Sequence, residues 1–225
     1  MTRSMRALAA LAGAAALALA TSVSADQTTR YILFTGDGTR GGEQVVQRSD
    51  DGRVDVRYIF KNNGRGPELE ETIRLAPDGT MAEYSVKGKA EMGGAVQEHF
   101  VREGTQAQWQ SNAEKGSASV QGPALYVPLS SSFETASIAI GVLAGRPDAT
   151  LPLLPSGTLH LRKIDEMEVA AKAGQKRRVQ LVALTGLGFT PSFYWATTDA
   201  RPRLFSLIYP GWMTLIEEGF ETSTD

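Results

Sequence analysis

From Tyr31 onward, apolar and polar residues alternate in short runs, each closed by a turn signal, which is the pattern of consecutive antiparallel strands. The clearest run is Arg53 to Phe60, where Val54, Val56, Tyr58 and Phe60 share one face and Arg53, Asp55 and Arg57 share the other. One face meets a core and the other meets water. Asp50-Asp51-Gly52, Asn62-Asn63-Gly64-Arg65-Gly66-Pro67, Pro77-Asp78-Gly79, Gly93-Gly94 and Glu103-Gly104 supply the residues that start turns or tolerate positive φ. Strands are predicted near residues 30–36, 43–49, 53–61, 68–76, 80–90, 95–102, 105–112 and 117–128, as a meander.

The period changes at Ser131. Ser131-Ser132-Phe133-Glu134 matches a capping box, and Phe133, Ala136, Ile140 and Leu143 follow at helical spacing until Gly145 and Pro147. Beyond Leu151–Pro155, an apolar, proline-punctuated connector, further strands are predicted over 158–172, 177–185, 193–198, 203–209 and 212–217. The later ones are apolar on both faces and belong in the middle of a sheet or under another layer. The fold class is mostly β: an antiparallel meander forming a curved sheet or half-barrel, with one amphipathic helix, about 131–146, packed on it.

The N-terminal segment departs from this rhythm. Arg3 and Arg6 precede an apolar run from Ala7 to Ala20 and then Thr-Ser-Val-Ser-Ala, the layout of a cleavable signal peptide over 1–25. The run is shorter than the roughly 20 residues that a bilayer-crossing helix needs. The chain contains no cysteine, so neither acylation at the cleavage point nor a disulfide is available. Residues 26–225 then form a single β-rich domain, periplasmic or secreted, with no membrane anchor. Losing Arg3 and Arg6 but no acid moves the net charge from −2 to about −4, and no basic stripe suits nucleic acid.

Gly36-Asp37-Gly38-Thr39-Arg40-Gly41 matches GxGxxG, but Glu43-Gln44-Val45-Val46-Gln47 after it reads as a strand, whereas a dinucleotide site needs a helix there. The glycines are read as a hairpin turn. His99 and His160 have no second histidine within helical or hairpin reach, and a zinc site usually takes three protein ligands, so both are read as surface residues. Glu68, Glu70 and Glu71 form an acidic cluster, read as a solvated strand face, and Lys176-Arg177-Arg178 reads as a turn and strand start. No catalytic residue, metal ligand or cofactor site is assigned. The aromatic set Trp109, Tyr126, Phe133, Phe193, Tyr194, Trp195, Phe205, Tyr209 and Trp212 either fills a core or lines a pocket for an apolar small molecule. Arg65, between two glycines in a pliant turn, is either an ordinary loop arginine or a contact for a carboxylate. Arg65, Tyr126, Trp195 and Trp212 are the candidate ligand or partner contacts.

Several segments carry a resemblance. Asn62–Pro67, Gly122-Pro123-Ala124-Leu125-Tyr126-Val127-Pro128, Leu151–Gly157, Ala183-Leu184-Thr185-Gly186-Leu187 and Tyr209-Pro210-Gly211-Trp212 resemble, in order, the N-terminal β-domain of secreted metal-dependent amidohydrolases of Gram-negative bacteria. That domain precedes a catalytic TIM barrel, and the sequence given stops where the barrel would begin, so no catalytic or metal residue carries over. The resemblance implies a non-catalytic periplasmic β-domain, split, truncated or free-standing, whose partner is an amidohydrolase barrel from the same or a neighbouring gene. The alternative is a periplasmic carrier or sensor that binds an apolar ligand in a curved β-sheet. A third reading is a hydrolase in its own right. N-terminal sequencing of the protein recovered after export is expected to begin at Asp26; a start at Met1 would remove the signal-peptide expectation.

Overall fold

The structure, a computed structural model, describes residues 27–221. The expected signal peptide, 1–25, lies outside them. In chain order the elements are β1 (Gln27–Thr35), β2 (Arg40–Arg48), β3 (Arg53–Phe60), β4 (Glu68–Leu75), β5 (Met81–Lys89), β6 (Ala95–Glu103), β7 (Gln106–Ser111) and β8 (Lys115–Ser119). They continue with β9 (Leu125–Tyr126), α1 (Glu134–Ala144), β10 (Thr150–Leu154), β11 (Thr158–Ala170), β12 (Lys176–Thr185), β13 (Ser192–Thr197), β14 (Leu204–Tyr209) and β15 (Met213–Glu217).

All the strands belong to one open sheet of order β8-β7-β6-β5-β4-β3-β2-β1-β15-β14-β13-β12-β11-β10-β9. The chain starts near the centre of this sheet and meanders outward to β8. It then crosses through β9 and α1 and returns by hairpins from β10 to β15, which pairs with β1 from Tyr31↔Glu217 to Thr35↔Met213. Every pairing is antiparallel except β9 with β10. The two edges, β8 and β9, are therefore consecutive in sequence, and the sheet must roll to bring them within reach of residues 120–124. Its rolled form shows in the ring contacts. Tyr126 of β9 stacks on Phe100 of β6 at 4.3 Å and tilts against Trp109 of β7 and Tyr84 of β5, so one edge of the sheet lies inside the curl of the other half.

Alternation explains which side chains fill that curl. Val54, Val56, Tyr58 and Phe60 of β3 are buried, as the period-two pattern predicts, alongside Leu69 and Ile73 of β4 and Tyr84 and Val86 of β5. Gly116 of β8 lies under the Trp109 indole, where an added Cβ would stand 2.4 Å from the ring; only glycine lets the ring close over the edge strand. A second, smaller cluster on the other side of the sheet joins Val169, Val179, Phe205, Ile216 and Phe220, with Arg177 4.9 Å from the Phe220 ring.

The expected curved sheet and single helix are present, but several details differ. Leu151–Pro155 is not a connector: Leu151 and Leu153 are buried in β10, which pairs with β11 at Thr150↔His160. Tertiary pairing overrides the two prolines because Pro152 faces solvent. The predicted strand 117–128 is broken into β8 and β9, since the chain leaves one edge and enters the interior there. The helix is shorter, and from Glu134 to Ile140 every residue is buried, so it is enclosed by the roll rather than laid on a sheet with a wet polar face. The capping box does not form. Phe133 stands at the N-cap without a side-chain cap bond, and Glu134 accepts instead from Arg48 at 2.6 Å.

What replaces the box is a set of inward side chains from the sheet. The segment before α1 runs across the inner face and meets one residue from each of five successive strands. Glu98 of β6 accepts from Tyr126 Oη at 2.6 Å and from the Leu129 backbone N–H at 3.1 Å. Tyr84 of β5 donates to the Ser130 carbonyl at 2.8 Å. Glu71 of β4 accepts from the Ser132 hydroxyl at 2.6 Å and from the Ser132 N–H. The Tyr58 ring of β3 meets Phe133 edge-on at 5.8 Å, and Gln44 of β2 accepts from the Phe133 N–H at 3.1 Å. Free N–H groups at a helix start are thus satisfied from another layer.

Glu98→Ala is expected to cost roughly 3–5 kcal/mol in chemical unfolding, because it strands a buried phenol and backbone N–H groups together. Glu98→Gln, which keeps an acceptor, should recover much of that loss; equal stability of Glu98→Ala and the parent would show that the contact contributes nothing.

Burial pushes the Glu71 carboxyl up from 4.5 to about 7, a rise opposed by its bonds to Ser132 and reinforced by nearby Glu134. Between those values the folded protein holds a proton that the unfolded chain has released. Stability is therefore fully present below about pH 4.5 and is lost as pH rises through about 7, by about 3 kcal/mol for a shift of this size. Urea midpoints compared at about pH 5 and about pH 8 should differ clearly in the parent and much less in Glu71→Gln. An identical pH dependence in the two proteins would count against Glu71 as the group responsible.

Candidate ligand groove

The same alternation that fills the roll sends a second set of side chains outward. On β1 to β6 these include Arg30, Glu43, Gln47, Asp55, Arg57, Glu70, Thr72, Ser85, Lys87, Gln97 and His99, and they line an open groove of about 840 Å³ on the outer face. A strongly twisted sheet is saddle-shaped, so even the face away from the core is concave in one direction. The groove follows that concavity across six strands.

Its electrostatics are those of paired charges at close quarters. Glu43 accepts from Arg30 at 2.8 Å, from Arg40 at 3.3 Å and from Arg57 at 3.4 Å, so three guanidinium groups meet one carboxylate, with Glu218 3.6 Å from Arg30 as the only further acid among these pairs. Lys87 pairs with Glu70 at 2.9 Å. Asp55 bonds to Arg53 at 2.7 Å and to Thr72 at 2.9 Å, and the Arg53 guanidinium holds its carboxyl below the usual range. Carboxylates clamped in this way serve as fixed charges. The groove is lined by paired charges and hydrogen-bonding side chains that suit a polar molecule, with Arg30 and Arg57 both meeting Glu43.

The structure does not gather the four candidate contact residues into one site. Arg65 is exposed in the β3–β4 turn, where its backbone bridges Asn62. Tyr126 is buried in the core, Trp195 is half-buried beside the second cluster, and Trp212 stands on the β14–β15 turn, edge-on to Phe60 at 6.1 Å. Of the aromatic set, Trp109, Tyr126, Phe133, Tyr194 and Tyr209 pack in or against the main core, and Phe205 and Trp195 pack in or against the second cluster. Only Phe193 and Trp212 are exposed. Rings, α1 and β9 fill the interior.

The acidic cluster is divided. Glu68 pairs with Lys61 at 2.8 Å and Glu70 faces the groove, as a solvated strand face would place them, but Glu71 points into the core. The glycine run 36–41 is the β1–β2 hairpin. His99 lines the groove and His160 is exposed on β11. Among the described residues, no three His, Asp or Glu side chains are placed to hold a metal ion. The groove residues had one legible signal, the charged alternation Arg53-Asp55-Arg57, but nothing local showed which neighbouring strands would complete the wall.

Two solved structures are similar to this chain. One is a β-barrel-like protein of the Domain of Unknown Function DUF1849 from Brucella abortus, at 10% identity over 85% of this chain and 94% of that one, with a TM-score of 0.47. The other is a DUF1089 family protein from Pseudomonas aeruginosa, at 15% identity over 76% of this chain and 90% of that one, with a TM-score of 0.40. No family model and no curated protein matches the chain. The resemblance to amidohydrolase N-terminal domains is therefore corrected: neither neighbour is one, and no family match supports the link. The segments that carried it are turns and strand ends, such as the β3–β4 turn and the β14–β15 turn, and glycine–proline turn chemistry recurs wherever hairpins are built. The expected catalytic-barrel partner had been drawn from that resemblance alone.

Proposed function

We propose that the protein is a non-catalytic binding protein, a carrier or sensor, whose curved sheet holds a polar ligand in the groove across β1 to β6. The observation that carries this reading is the charge-lined concavity of about 840 Å³, a size suited to a small molecule or a short extended polymer. An apolar ligand would need space inside the roll, which the Phe100–Tyr126–Trp109 stack and α1 occupy. The ligand is one with an anionic group, which the Arg30 and Arg57 guanidinium groups receive beside Glu43, and with hydrogen-bonding groups along Gln47, Thr72, Ser85 and Gln97. The leader-like segment 1–25 supports a carrier that works outside the cytoplasm.

Native mass spectrometry of the protein purified from its own source at low salt should reveal a polar adduct that high salt releases. In Arg57→Ala the adduct should fall about tenfold, the effect of losing one charge-assisted contact. Failure to find any adduct would overturn the reading, and a lipid recovered only by organic extraction would restore the apolar alternative.

A further inference from the structure

Strand register arranges the groove's side chains in rows that run across the strands. One row is Gln47, Asp55, Thr72, Ser85 and His99, each directly opposite the next on β2 to β6, and all five line the groove. With neighbouring strands about 4.8 Å apart, the row measures about 19 Å from end to end. Thr72, Ser85 and His99 also line a second concavity of about 130 Å³, to which Arg53, Arg74 and Glu83 contribute. The two concavities meet at this row. Arg57, Glu70 and Lys87 flank it on one side and Arg53, Arg74 and Glu83 on the other, again in register.

Each flanking cation already has an acid within ion-pair reach. Arg57 meets Glu43 at 3.4 Å, Lys87 meets Glu70 at 2.9 Å, Arg53 meets Asp55 at 2.7 Å and Arg74 meets Glu83 at 3.9 Å. A phosphate polymer laid here would encounter a carboxylate beside each cation, which opposes the counterion exchange that drives nucleic-acid binding. A peptide strand takes its main-chain bonds from a sheet edge, and this row lies on a face. A compact small molecule leaves most of the row unused. Clamped charges of both signs, beside neutral amide and hydroxyl groups, suit a ligand whose groups both donate and accept, and a hydroxyl does both.

We propose that the groove binds an oligosaccharide, laid across the strands along the row from Gln47 to His99 with an acidic sugar at the Arg30 and Arg57 end. This rests on the reading of the protein as a carrier or sensor of a polar ligand and names the ligand class of that same site. Sugar rings in an extended chain repeat at close to the strand spacing, so about one ring meets each strand. Ring hydroxyls accept from Gln47 and Lys87, and they donate to Glu70 and to the Thr72 oxygen, whose own proton is directed at Asp55 at 2.9 Å. The row holds no aromatic ring, so affinity accumulates from hydrogen bonds and rises with each sugar until β6 is reached.

Mass spectrometry of the adduct released from the natively purified protein tests this. The adduct should fragment by successive losses of sugar residues and contain about three or more rings, one of them acidic. Returned to the stripped protein, its partial-hydrolysis fragments should bind more tightly with each added ring. His99→Ala should weaken the longest fragment roughly fivefold, to the level of a fragment one ring shorter, with unchanged thermal unfolding because His99 is exposed. An adduct of a single ring or less, a peptide or a polynucleotide overturns the oligosaccharide and leaves the polar-ligand reading standing. Equal affinity for every fragment length, or parental affinity of His99→Ala for the longest fragment, likewise overturns the placement along the row. A lipid adduct, or none, overturns both readings together.

Discussion

A nine-residue crossing, from Tyr126 to Glu134, holds this molecule in its rolled form. An open sheet whose edges are consecutive in sequence could lie in many curvatures, because hairpin hydrogen bonds are indifferent to how far the whole sheet rolls. The crossing removes that freedom. It spans the inner face diagonally and is gripped by Glu98, Tyr84, Glu71, Tyr58 and Gln44, one from each of β6 to β2. Each grip satisfies a polar group that would be costly to leave bare in the core, so the curvature and the crossing are determined together.

The arrangement has an electrostatic cost. Glu71, Glu98 and Glu134 are all buried, and Glu134 is charge-compensated by Arg48 while its second oxygen, like Gln44 Nε2, has no hydrogen-bond partner. An apolar core could have been more stable. What the polar band contributes is register: a one-residue slip of any strand from β2 to β6 would send its inward residue to the other face.

The outer groove is a consequence of the same roll. The strands that turn Glu71 and Glu98 inward turn Glu70, Gln97 and His99 outward, and the twist that closes the core hollows the reverse face.

The meander from β1 to β7, the turn positions and the inward set on β3 were legible from alternation and turn chemistry alone, since both are local properties of a backbone with period two and of residues that permit positive φ. The β1–β2 hairpin was legible for the same reason, as was the solvated face that Glu68 and Glu70 share. The sheet partners of β9 and β10, the burial of Glu71 beside two exposed glutamates, and the caps of α1 were not, because each depends on residues 28 to 89 positions away in the chain. The sequence by itself determined which residues could face inward. Only the tertiary structure decided which inward residues meet the crossing and which outward ones share a groove, because those contacts arise from the curvature of the whole sheet, a property no single strand encodes.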